Sequence, residues 1–239
     1  MISDCNIETC DDAIALKSDC ARAEVPEEFG VQDVTVTNCI LWSRCCGIRI
    51  GFEGNAPITD CSFSNIIINH ANHGIDMISV CPKQVPAITH GARIKRIRFS
   101  DIIIRDTGIG FYIWAGNTPG RNEFDGFIRE IEFSHITCQS EETSFIGAER
   151  TGVIGDLNFH QVDLAVKRKT QWPDHSPYRD DRMPSVWGGG YRMGGMRLLR
   201  TGRICMDHVT IRSDISEPDI LFTEQSTLPE LNNCIFKKI

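Results

Sequence analysis

One short sequence unit recurs along this chain, and the repetition constrains the fold more than any other feature. In each copy apolar residues alternate with polar ones, and the copy usually closes on an Asn, Ser or Asp. The copies are Val31 to Ser43, Ile58 to His70, Ile94 to Asp106, Ile128 to Ser140, Ile154 to Val166 and Gly202 to Asp214. Repeats spaced by roughly 20–50 residues are typical of solenoids, propellers and other repeat arrays.

A second alternating segment follows most copies after a few residues. These segments are Ala13 to Ser18, Gly47 to Glu53, Gly74 to Val80, Gly108 to Trp114 and Thr143 to Glu149. Their alignment predicts two inward apolar columns, Ile14, Ile48, Ile75 and Ile109 in the first and Leu16, Ile50, Met77 and Phe111 in the second. It predicts that Arg49 and Asp76 share one outward column and that Lys17 and Tyr112 share the next.

Alternation of apolar and polar residues indicates half-buried strands, and no long helical periodicity is present. Strands that repeat with stacked apolar columns predict an all-β fold, a right-handed parallel β-helix (solenoid), over the whole of residues 1–239. The alternative is a β-sandwich of antiparallel hairpins. Its tight Asn-Gly turns are missing from this sequence, and the regular repeat favours the solenoid.

Composition excludes several classes of function. The net charge of −7 has both signs mixed along the chain, which argues against nucleic acid as a partner. No segment approaches the length of a membrane span, so no membrane partner is expected. The 11 cysteines form no C-x-x-C pairs, so neither a metal site nor a cofactor is predicted.

Two segments raise questions that the sequence leaves open. A strand begins directly after Met1, so we expect either a fragment whose first coils are missing or self-association through an uncapped N-terminal end. The segment 167–190 is too long for a simple turn. A long loop on a rigid scaffold often binds a ligand, but this one is equally well interpreted as a lid over the core.

The adjacent carboxylates Asp11 and Asp12 stand at the entrance to the strand that begins at Ala13. A pair in which one carboxyl donates a proton while the other stays ionised is what glycoside hydrolysis requires. The simpler interpretation is a turn that favours Asp.

The context of the pair resembles a known family. The run DCNIETCDDAIALKS, followed by VTNCILWSRCCGIRIGFEG, is similar to segments of the polygalacturonases, the pectin-degrading glycoside hydrolase family 28. Members carry C-x-I-x-x-G-D-D-C-I-A-I-K-S-G and then N-C-x-x-x-x-G-H-G-I-S-I-G-x-x-G. Matches to the first motif are Asp11, Asp12, Ile14, Ala15, Lys17 and Ser18. Matches to the second are Asn38, Cys39, Gly47, Ile48, Ile50, Gly51 and Gly54.

The resemblance implies an inverting hydrolase that acts on pectin or a related plant cell-wall polysaccharide. Asp11 would protonate the leaving glycosidic oxygen, and Asp12 would help activate the attacking water. Lys17 would contact a substrate carboxylate or hydroxyl. The partner would be a polysaccharide or oligosaccharide, and secretion or export to the periplasm would be expected.

The chain departs from the family at three places. The family's third carboxylate lies in an N-T-D-G segment about one coil upstream of the pair. Cys46 stands where the family has its catalytic-site His. The coil that should carry the family's R-I-K motif reads Gly74 to Ile78 instead.

Other residues are candidates to replace the missing groups. We predict a cross-strand ion pair between Arg49 and Asp76 that holds an acidic or hydroxyl-rich sugar, although such a pair also occurs as a plain surface salt bridge. His73, which aligns with Asp12 and Cys46, would substitute for the family His or serve only the structure. Tyr112 and Trp114 would stack on sugar rings or merely cover the sheet.

The departures leave a second function open, a non-catalytic β-helix that binds carbohydrate or serves assembly. A polysaccharide lyase ranks last, because the sequence offers no convincing carboxylate cluster for calcium.

Overall fold

The computed structural model describes residues 1–18, 30–81, 90–116, 124–167, 194–214 and 220–239 of the chain. In these residues the regular structure is all-β, and the strands form one 17-stranded sheet. No helix that could span a membrane is found among them.

The strands follow one another along the chain in successive repeats. Their bounds are β1 Ile2–Ser3, β2 Asn6–Thr9, β3 Ile14–Leu16, β4 Val31–Gln32, β5 Thr35–Ser43, β6 Cys46–Gly51, β7 Pro57–Val80, β8 Arg93–Gly116, β9 Phe127–Glu142, β10 Ser144–Ala148, β11 Ile154–Val166, β12 Met196–Leu199, β13 Ile204–Asp207, β14 Thr210–Ser213, β15 Leu221–Glu224, β16 Glu230–Asn232 and β17 Ile235–Lys238. The repeats are β1–β3, β4–β6, β7, β8, β9–β10, β11–β12, β13–β15 and β16–β17.

Every pairing between described strands is parallel and joins one repeat to the next. The repeats therefore lie in layers, one interstrand distance of about 4.8 Å apart. The spacing between partners varies, from 47 residues between His160 and Asp207 to 25 between Asp207 and Asn232. An antiparallel sandwich is excluded for these residues.

The core lies inside the stack and contains a ladder of aromatic rings. Phe63, Phe99, Phe133 and Phe159 occupy equivalent positions in consecutive layers. Successive centroids lie 5.0, 5.1 and 4.6 Å apart with nearly parallel planes. The ladder arises because the strands pair in register, which places the same inward position of each repeat directly above the last.

The predicted columns are correct for three repeats and wrong for the fourth. Ile14 pairs with Ile48 and Ile48 with Ile75, as predicted. Ile75, however, pairs with Phe111 and not with Ile109. The sequence alignment matched Gly74 with Gly108, whereas the long strands β7 and β8 keep one register through this corner.

Each repeat turns one corner at a residue in the left-handed conformation. The φ angles there lie between 50° and 58°, a region that Asn and Asp tolerate better than most residues. The residues of this corner, called the left-handed corner below, are Asp4, Asn38, Asn65, Asp101, His135, Gln161, His208 and Asn233.

Residues 167–190 lie outside the described residues apart from Lys167, so the predicted binding loop or lid stays a prediction. The described cysteines are free thiols. Cys39 and Cys61 are buried in the core.

Candidate active site

The acidic pair lies just before β3, at the edge of a sheet face that we call the doublet face. This face comprises Ile14–Leu16, Cys46–Gly51, residues 73–80 and 109–116, Ser144–Ala148 and Met196–Leu199. The Asp12 backbone amide donates to Asp11 Oδ1 at 2.8 Å, and the Ser43 hydroxyl donates to the Asp11 carbonyl at 2.7 Å. Asp11 is exposed and Asp12 is half-buried. The two carboxyl groups therefore have different surroundings.

Arg49 forms ion pairs with Asp12, at the edge of the doublet face, and with Asp76, within it. Its Nε lies 3.0 Å from Asp12 Oδ2, and its Nη1 lies 3.5 Å from Asp76 Oδ1. The predicted ion pair between Arg49 and Asp76 is thus confirmed. Asp76 is fully buried, so this is an internal network and not a surface salt bridge.

The surroundings of Arg49 stabilise its charged form. Burial acts to lower the pKa of the guanidinium, but the negative charges of Asp76 and Asp12 favour its charged form, and the pKa lies above its usual value. The ring of Phe52 lies 5.2 Å from the guanidinium carbon and adds a cation–π contact. Arg49 is therefore a permanent cation held between two carboxylates.

His73 is positioned by the second of these carboxylates. Its Nδ1 donates to Asp76 Oδ2 at 2.6 Å, and its ring stacks on Tyr112 with the centroids 4.9 Å apart. His73 pairs with Cys46 across the strands, as the sequence alignment predicted. The hydrogen bond at Nδ1 fixes the orientation of the ring, and Nε2 is the ring nitrogen that this bond does not use.

Lys17 lies on an exposed part of the same region. Its Nζ contacts Glu53 Oε2 at 2.9 Å, and both side chains are 37% exposed. An exposed pair of this kind contributes little to stability. Lys17 can therefore exchange Glu53 for a bound anionic group at small cost.

Of the two interpretations of Tyr112 and Trp114, stacking on a sugar ring is wrong, because their exposed fractions are 4% and 2%, and covering of the sheet fits the structure. Tyr112 shares its column with Asp76, and Trp114 shares its column with Ile78. Both rings belong to a second apolar cluster on the outer side of the doublet face. Its members are Phe52, Ile78, Val80, Ile109, Tyr112, Trp114, Phe145 and Leu199.

The buried side of the site contains two thiols that the sequence analysis did not assign. Arg49 Nη2 lies 2.8 Å from Cys46 Sγ, and the Sγ atoms of Cys45 and Cys46 are 3.9 Å apart. Burial, a contact with Cys45 and the charge of Asp76 raise the pKa of the Cys46 thiol, against the opposing effect of Arg49. Cys46 is therefore a neutral thiol and a poor metal ligand.

Two potential ligand sets share this thiol, Asp12 with Cys45 and Cys46, and Cys46 with His73 and Asp76. The guanidinium already provides the positive charge that these carboxylates need. A metal ion would have to displace it, so the geometry does not favour a metal centre here.

A polar groove lies on a different face of the stack. It is lined by Asp60, Cys61, Ser62, Arg96, Arg98, Glu130, Glu132, Asp156 and Asn158. Its arginines bind its own carboxylates, Arg96 with Asp60 and Arg98 with Glu132. The groove therefore offers less to an acidic ligand than its number of arginines suggests.

Comparisons with known proteins give no independent family assignment. No family model matches the chain, and no curated protein or solved structure matches it.

Proposed function

We propose that the chain is a right-handed parallel β-helix that acts as a glycoside hydrolase of the polygalacturonase type, on pectin or a related plant cell-wall polysaccharide. The observation that carries this proposal is the different environment of two adjacent carboxyl groups. Asp11 is exposed, whereas Asp12 contacts the buried cation Arg49. Adjacent carboxylates with different surroundings suit the two roles of acid and base.

In the proposed reaction Asp11 is the general acid. Its proton passes to the glycosidic oxygen as the bond from that oxygen to the anomeric carbon breaks. A water molecule attacks the opposite face of the anomeric carbon, and Asp12, which contacts Arg49, accepts the proton of that water. Lys17 binds a carboxylate or hydroxyl of the sugar in place of Glu53.

One observation favours a second candidate, a β-helix that binds carbohydrate without cleaving it. The Asp12 carboxylate is occupied by Arg49 at 3.0 Å, and the carboxylate of Asp76 is wholly buried. If Arg49 does not release Asp12 when a sugar binds, no base acts beside Asp11, and the same groups only hold the ligand.

The release of reducing ends from polygalacturonate and from rhamnogalacturonan tests the proposal. We expect the chain to cleave one of these polymers and Asp11→Asn to lower the rate at least about 100-fold, the usual contribution of a general acid. Asp33→Asn is the matched control, because Asp33 is another exposed aspartate, outside the doublet face.

Three results are informative. Cleavage that Asp11→Asn leaves intact would refute the assignment of the acid. Binding of the polymers without cleavage would support the second candidate. If the chain neither binds nor cleaves the polymers, carbohydrate is rejected as the partner.

A further inference from the structure

Two histidines and an aspartate meet on the outer surface of the late repeats, far along the chain from the doublet face. His160 Nδ1 lies 2.8 Å from Asp207 Oδ2, and His208 Nδ1 lies 2.9 Å from Asp207 Oδ1. The exposed fractions of these side chains are 49%, 36% and 54%. Their ligand atoms all lie within 4.8 Å of one another.

The repeat brings these residues together. His160 and Asp207 are direct partners in the pairing of β11 with β13. His208 follows as the residue of the left-handed corner, with φ 54°. His160 and Asp207 occupy equivalent positions in successive repeats. In the two repeats before them this position is a serine, Ser100 and Ser134.

The corner of the early repeats is held differently. Asn38 Nδ2 donates to Asp4 Oδ1, and Asn65 Nδ2 donates to Asn38 Oδ1 at 3.1 Å. The amides of Asn38 and Asn65 therefore pair with the Asp4 carboxylate and with each other, and these three corner residues include no imidazole. The late repeats replace this ladder with imidazole nitrogens on a carboxylate.

The carboxylate is also oriented by a further residue. Asn232 Nδ2 donates to Asp207 Oδ1 at 2.5 Å. Carboxylates that bind a metal ion are typically held by such a hydrogen bond from a neighbouring residue.

We propose that His160, Asp207 and His208 bind a first-row divalent transition metal ion such as Zn²⁺. The ligands would be the two Nδ1 atoms and one carboxylate oxygen. At zinc–ligand distances of about 2.0–2.2 Å, the ligand atoms of a tetrahedral site lie about 3.4 Å apart. The present nitrogen–oxygen distances of 2.8 and 2.9 Å need to open by only about half an ångström, which exposed side chains allow.

The donor set also selects the class of ion. Two imidazole nitrogens suit zinc, nickel, copper and cobalt, whereas calcium and magnesium prefer oxygen ligands throughout. Three protein ligands at an exposed position leave the fourth position for water or an outside ligand.

The repeat supplies substitutions that fit the backbone. His160→Ser installs the residue of the two preceding repeats, and His208→Asn installs the residue that occupies the left-handed corner at Asn38, Asn65 and Asn233. The matched control is His135→Asn, at the same corner. His135 is 54% exposed and has its Nδ1 4.0 Å from Asp101.

Zn²⁺ affinity is measured by competition with a chromophoric chelator, and Co²⁺ is bound in parallel for its spectrum. We expect one equivalent of metal, a loss of at least tenfold in affinity with His160→Ser and with His208→Asn, and a change below twofold with His135→Asn. The cobalt complex should lack a thiolate charge-transfer band, which separates this site from the cysteines.

Several results would overturn the assignment. These are an affinity unchanged in both ligand variants, a loss with His135→Asn as large as theirs, a strong thiolate band, or no stoichiometric binding by the wild-type chain. The experiment does not depend on hydrolytic activity, so it stands whether or not the chain cleaves a polysaccharide.

Discussion

Replacement of Arg49 by Met should destabilise the protein strongly, because it leaves Asp76 buried without its cation. Asp76 is fully buried, and Arg49 Nη1 lies 3.5 Å from its Oδ1. With an effective dielectric constant of about 20, two unit charges at this distance attract by about 5 kcal/mol. Removal of one partner of a buried pair typically costs about 3–5 kcal/mol, so we expect a loss in this range.

A double-mutant cycle separates the lost charge pair from the lost packing. Asp76→Asn removes the charge and keeps the shape, and Arg49 retains Asp12 at 3.0 Å. We therefore expect Asp76→Asn alone to cost about 1–2 kcal/mol, since Arg49 then keeps one of its two partners. The combined variant should recover at least half of the loss of Arg49→Met, because no buried carboxylate remains unpaired.

Urea denaturation at pH 8, followed by far-ultraviolet circular dichroism, measures the four free energies of unfolding. A loss below about 1 kcal/mol for Arg49→Met, or a double variant no more stable than Arg49→Met, would contradict the buried network described above.

Two further predictions concern the scaffold. Phe133 packs against three rings at centroid distances of 4.6, 5.1 and 5.4 Å, and Phe63 packs against Phe99 at 5.0 Å; Phe133→Ala should therefore cost about 1–3 kcal/mol more than Phe63→Ala in urea denaturation, and equal losses would contradict the aromatic ladder. Hydrogen bonds from Arg96 lower the pKa of Asp60 to about 2, so the stability that this pair contributes is present above the ordinary Asp pKa of about 3.9 and is lost as the pH falls through about 2. An NMR titration of Asp60 should show its pKa rising toward the ordinary value in Arg96→Gln, and an unchanged titration would refute this cause.

The sequence predicted the strands of the early repeats well, because alternation and apolar columns are local signals. It predicted the partners of Ile14 and Ile48 correctly. It failed at Ile75, where a match of two glycines suggested a register that the long pairing of β7 with β8 excludes. It also missed β12 and β15, whose sequences MRLL and LFTE do not alternate regularly between apolar and polar residues.

The candidate site was predictable in its charges and not in its burial. Opposite charges in one outward column, Arg49 and Asp76, were sufficient to indicate an ion pair. Exposure was misjudged, because an outward residue was assumed to meet solvent. Ile78 and Leu199 could have indicated this burial, because apolar residues that point outward indicate that a second layer covers them.

The unequal spacing of the layers has a practical consequence. His160 and Asp207 are 47 residues apart in the chain, and Asp207 and Asn232 are 25 apart. The strands that contain these residues nevertheless pair in register. Extra length is thus accommodated between strands, whereas a single residue added within a strand would turn its core side chains outward. We therefore expect that foreign peptides can be inserted between strands. The choice of repeat would set the position of each peptide along the stack in steps of about 4.8 Å.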